Sequence, residues 1–133
     1  MVDDASATGV RQPARDRVAL HGLTGFGHHG VFDFEREQGQ RFLADVVCTL
    51  DLAAAAESDD LQRTVDYGVL AADVVADIEG DPLDLIEALA DRIARTCLRR
   101  PAVQSVEVTV HKPDAPMPVP VADIAVTLTR SKV

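Results

Sequence analysis

The residues best suited to proton chemistry in this sequence are one lysine, one tyrosine and three glutamates, each beside a structured element. Lys112 closes the strand-like run VEVTVHK and leads straight into a proline-rich loop, PDAPMPVP. The residue before a proline is held extended, which leaves Lys112 little backbone freedom. It also shares parity with Val106, Val108 and Val110, so it continues the core side of its strand. A solubilising lysine keeps an exposed strand edge from pairing with another chain; a charge on the core side favours function. Tyr67 is the only tyrosine and stands in the first turn of a helix. Its ordinary reading is core packing with the hydroxyl at the rim. Glu35 and Glu37 lie in the glycine-bounded loop HHGVFDFEREQGQRF, where composition alone favours a solvated turn. Glu87 sits three residues after Asp84, a capping-box spacing with Asp84 as N-cap and Glu87 at N3. These residues outline a lysine–tyrosine–glutamate site and name no substrate.

Other chemistries have weaker footing. The four histidines are His21, His28, His29 and His111. The side chains of His28 and His29 diverge in an extended segment, and no HExxH, CxxC or His-x-His occurs. They read as strand-end and loop residues, with no metal site and no cofactor expected. GxGxxG, GxxxxGK[ST] and GxSxG are also missing, which leaves dinucleotide, P-loop and hydrolase-elbow readings without support.

The elements that must position these groups follow from periodicity. RVALHGLTGF reads as a first strand. In RFLADVVCTLDLA the residues Phe42, Ala44, Val46, Cys48, Leu50 and Leu52 share one face, opposite Asp45, Thr49 and Asp51. Leu43 and Val47 are apolar exceptions, which predicts that the second face also meets protein. Tyr67, Leu70, Ala71, Val74, Val75 and Ile78 form a helical stripe stopped near Gly80. Ile86, Leu89, Ala90, Ile93 and Cys97 form another, ended by Pro101. Two alternating segments around Val108 and Val126 close the chain. The order ββααββ predicts an α+β domain, with two helices packed on one face of a four-stranded antiparallel sheet.

A chain of 133 residues holds one core. It is expected to form a single domain over residues 17–133, after a flexible tail over residues 1–16. The net charge of −9 and the lack of a basic stripe argue against nucleic acid. No apolar run suits a membrane span and the N-terminus lacks a signal-peptide core, so a cytoplasmic location is expected. Cys48 and Cys97 read as buried small hydrophobes.

Four blocks in order, GHHGVFDFEREQGQRF, SDDLQRTVDYG, LIEALADRIA and VHKPDAPMP, make the chain resemble bacterial dihydroneopterin aldolase from Arg17 to Arg130. The resemblance implies the tunnelling fold, whose sheets join in a ring of four subunits as a β-barrel, commonly stacked into an octamer. It implies a pterin substrate, cleaved without metal to 6-hydroxymethyl-7,8-dihydropterin and glycolaldehyde, with epimerisation alongside. The family's loop glutamate falls on Glu35, expected to bind the side-chain hydroxyls. Its tyrosine falls on Tyr67, at the pterin and in proton transfer, from the neighbouring subunit. Its helix glutamate is Glu87, gripping the pterin amino and ring N–H groups, with Ile86 beside it at the substrate. Its strand-end lysine is Lys112, the expected general base. His28 departs from the family, where many relatives have an aromatic residue. Two alternatives remain: a dihydroneopterin triphosphate epimerase, which needs basic groups at the pocket mouth beyond Arg36 and Arg41, and a non-catalytic pterin-binding module.

Overall fold

The computed structural model describes residues 14–133. The anticipated tail, up to residue 13, lies outside the described residues. Two long strands, β1 (Asp16–Gly27) and β2 (Gln40–Leu50), are followed by helices α3 (Tyr67–Ile78) and α4 (Ile86–Leu98), then β3 (Ser105–His111) and β4 (Ala125–Ser131). The strands form one antiparallel sheet in the order β1-β2-β3-β4. Hairpin contacts are thus made between β1 and β2 and between β3 and β4, and the helix pair is inserted where β2 crosses to β3. This is the α+β arrangement that the periodicity predicts.

Strand alternation sends Phe42, Ala44, Val46, Cys48 and Leu50 of β2, and Val106, Val108 and Val110 of β3, to one face. The apolar stripes of α3 (Leu70, Val74, Ile78) and α4 (Leu89, Ile93, Cys97) cover that face and complete the core. Cys48 and Cys97 are both free thiols buried in it. Asp66 caps α3, its carboxylate accepting from the N–H groups of Gly68 and Val69. The register of β1 against β2 slips between Leu20 and Leu23. Gly22 takes φ 70° at this bulge and donates its N–H to Asp45 Oδ1 at 2.7 Å.

Two expectations need correcting. First, short helical turns interrupt the simple strand–helix order: α1 (Asp33–Gln38), α2 (Ala53–Ser58) and a 3-10 turn over Leu61–Arg63. The loop that holds Glu35 is therefore helical, not an open turn. Second, Asp84 does not cap α4. The helix starts at Ile86 with Leu85 as N-cap, and no side chain caps it. Asp84 stands one residue before that N-cap and pairs instead with the Arg36 guanidinium. Glu87 is left outside any capping box.

Candidate active site

Glu35 is the centre of the site. Helix α1 begins after Phe32, whose N–H donates to Glu35 Oε1 at 3.3 Å while its carbonyl accepts from the Glu35 N–H at 3.0 Å. The local fold thus turns Glu35 inward and buries it. A buried carboxylate needs partners, and Glu35 has them. Its Oε2 accepts from Lys112 Nζ at 2.7 Å and from Gln40 Nε2 at 2.9 Å. The Lys112 side chain is 14% exposed and that of Glu35 is 2%. Burial pushes the Glu35 carboxyl up, but the bonds from Lys112, Gln40 and Phe32, with the lysine's charge, outweigh it and hold it below the usual range.

The backbone of Lys112 is as well held as its side chain. Its N–H donates to Ile124 O at 2.8 Å, closing the base of the proline-rich loop, and its carbonyl accepts from Ala115 N–H at 3.2 Å. Gly30 supplies the room beside Glu35. A Cβ there would lie 2.4 Å from the Glu35 carboxyl, and the φ of 153° already favours glycine.

Behind this corner, His29 ties two segments together. It is fully buried. Its Nε2–H donates to Ile78 O at 2.6 Å and its Nδ1 accepts from Leu83 N–H at 3.0 Å. Those partners require the neutral ring. Desolvation lowers its pKa, against the opposing pull of the Ile78 bond. Gly30 N–H donates to Leu83 O at 2.9 Å, and Arg36 Nε to Gly30 O at 2.9 Å. The connection before α4 is thereby fastened to the segment before α1.

Glu35, Ile86, Glu87 and Lys112 surround one cavity of about 390 Å³, with Phe32 and Met117 as apolar walls. Four of the five residues singled out from the sequence thus come together. Tyr67 does not join them: it is 63% exposed and lines neither this cavity nor the neighbouring one described below. Sequence reasoning missed Gln40, although it shares the core parity of Phe42 and Ala44 and so carries the same signal as Lys112. His29 and Gly30 gave no such signal, because their roles depend on Leu83, Ile78 and Glu35, which are close only in space.

Apolar walls around a buried ion pair, with a second carboxylate in the lining, make a cavity fit for a small ligand with a few polar groups. Comparison with known proteins bears on which one. The family model for dihydroneopterin aldolase (FolB) matches residues 18–129. This chain belongs to the dihydroneopterin aldolase family. It is 58% identical over 118 residues to a dihydroneopterin aldolase of Streptomyces coelicolor, spanning 89% of this chain and 99% of that one. It is 42% identical to one from Bacillus subtilis, spanning 88% and 98%. Among solved structures, the Escherichia coli dihydroneopterin aldolase in complex with neopterin superimposes with a TM-score of 0.81 at 29% identity, over 88% of this chain and 100% of that one.

Proposed function

We propose that the chain cleaves 7,8-dihydroneopterin by a metal-independent retro-aldol reaction, giving 6-hydroxymethyl-7,8-dihydropterin and glycolaldehyde. The observation that carries this reading is the buried Lys112–Glu35 pair in one cavity with Glu87, a carboxylate without an ion-pair partner among the described residues. A carboxylate accepts two parallel hydrogen bonds from an amino group and a ring N–H. Glu87 reads the pterin edge in this way, and Ile86 packs against the ring. The side-chain hydroxyls reach Glu35, where they compete with the ammonium for the same carboxylate oxygens.

Cleavage breaks the bond between the first and second side-chain carbons. Once a substrate hydroxyl displaces Lys112 from Glu35, Lys112 in its neutral amine form takes the proton of the second hydroxyl through a water, and that carbon leaves as the aldehyde of glycolaldehyde. The bonding electrons pass into the N5=C6 imine as an enamine. A proton returned to the first carbon then completes the hydroxymethyl product, so no net proton is consumed. The protein's contribution is position and proton transfer.

Tyr67 relays a proton in this scheme, and we assign it to the neighbouring subunit of a ring-shaped homo-oligomer. Its exposure and its absence from the linings of both cavities support that assignment. So do Leu43 and Val47, which lie on the sheet face opposite the one that α3 and α4 cover. A mixed assembly of Tyr67→Phe and Lys112→Ala subunits should recover part of the activity that each variant lacks alone; no recovery would refute the shared site.

The decisive assay incubates purified protein and EDTA with 7,8-dihydroneopterin and measures both products, with Lys112→Ala in parallel. Both products from the wild type and their loss in the variant are expected. An intact substrate after exhaustive incubation would overturn the aldolase reading.

A further inference from the structure

A second cavity of about 450 Å³ adjoins the first, the two sharing Glu35 and Pro116 in their walls. Its remaining lining includes Phe34, Gln40, Arg41 and Asp114. The proposed reaction leaves this space unused. Resting on that reading, a substrate whose ring edge lies on Glu87 and whose hydroxyls meet Glu35 has its terminal side-chain carbon directed past Glu35. That is where the second cavity begins.

The charges around this space are matched. Arg41 Nε donates to Asp114 Oδ2 at 3.0 Å, so the cation on its wall already holds a carboxylate. Lys112 is committed to Glu35 and Arg36 to Asp84. A phosphate ester needs an uncommitted guanidinium to accept its charge, and finds here two carboxylates, Glu35 and Asp114, on the same wall. An uncharged hydroxyl needs no such partner and can itself donate to either carboxylate on this wall.

We propose that the second cavity is the subsite for the end of the substrate side chain, and that Asp114, by occupying Arg41, makes it select a free terminal hydroxyl over a phosphorylated one. Asp114 is thus a specificity-determining residue. It sits two residues after Lys112, on the same proline-rich loop, so the loop that presents the lysine also sets what may lie beyond Glu35.

The test compares kcat/KM for 7,8-dihydroneopterin and for its 3′-triphosphate in the wild type, in Asp114→Asn and in Arg41→Gln/Asp114→Asn, at one low ionic strength. The readout is the ratio of the two values, in which a general loss of activity cancels. Asp114→Asn should shift the ratio toward the triphosphate by about tenfold, through the KM of that substrate. The added Arg41→Gln change should abolish the shift, and 0.5 M salt should shrink it. An unchanged ratio in Asp114→Asn, or a shift that persists without Arg41, would overturn the proposal. A wild type that cleaves neither compound would overturn the aldolase reading first, and the subsite with it.

Discussion

Adjacent residues at the end of β3 carry the two most contrasting charged clusters in the molecule. Lys112 lies on the helix-covered side and meets Glu35 in a nearly dry corner. His111, one residue earlier, lies on the uncovered side of the sheet. Its Nε2 and Nδ1 face Asp45 Oδ2 at 2.7 Å and Asp123 Oδ2 at 2.8 Å, and His21 approaches Asp45 at 3.6 Å. Both ring nitrogens must donate to satisfy two carboxylates, so His111 is an imidazolium in this arrangement, and the bonds to Asp45 and Asp123 raise its pKa. The same sheet end therefore holds one buried pair and one partly exposed bridge. Burial makes the first far costlier to break than the second. This explains how a lysine can be held in a buried pair beside a histidine whose bridge stays partly open to solvent.

The sharpest way to break this contrast is to remove the buried cation. Lys112→Ala strands the Glu35 carboxylate, so a loss of about 3–5 kcal/mol is expected in denaturant unfolding. Aldolase turnover should fall by about 10²–10⁴-fold in the product assay. The sign of one pH dependence should also flip. In the wild type the Glu35 pKa is depressed, so its contribution is present above the usual carboxylate range and lost as pH falls through the folded value. Without Lys112, burial dominates and raises that pKa, and the contribution is instead lost as pH rises through it. Unfolding free energies measured from pH 3 to 7 would show whether the slope reverses.

His29→Leu attacks the support behind the corner without touching a charge pair. It orphans the Leu83 N–H and the Ile78 carbonyl, each at about 1–3 kcal/mol. Gly30→Ala pushes on Glu35 directly. Its backbone strain should cost about 1–3 kcal/mol, and KM should rise more than stability falls. Parallel unfolding and steady-state kinetics separate the two variants.

The smallest effect belongs to the partly exposed bridge. His111→Gln should cost about 1 kcal/mol or less at neutral pH. Because the folded pKa of His111 is raised, its contribution is complete below about pH 6.5 and disappears as pH rises through the folded value. Wild-type stability should therefore decline on the alkaline side and the variant's should not. A slope shared by both proteins would locate that titration elsewhere.

Much of this was legible before any coordinates. The parity of Val106, Val108, Val110 and Lys112 marked a charge on the core side, and the salt bridge to Glu35 shows why it can be there. The apolar stripes of α3 and α4 were equally plain, since helix and strand periods are local properties of the chain. Composition alone favours a solvated turn at Glu35, because nothing in FEREQGQ shows that Lys112 and Gln40 close over it. Asp84 was misjudged as a cap for a similar reason: Arg36, the partner it prefers, lies 48 positions away.

Alone, the sequence determined the α+β class, the two helical stripes, the buried face of the sheet and four blocks that mark the family. Periodicity and motif spacing are written in neighbouring residues, so they survive without a fold. Only the tertiary structure decided that Glu35, Ile86, Glu87 and Lys112 share one cavity, that Tyr67 stands apart from it, and that Asp114 holds Arg41 at a second one. Those facts depend on which distant charges become neighbours when the core closes. Hydrogen bonds and ion pairs act within a few ångströms, whatever the separation along the chain.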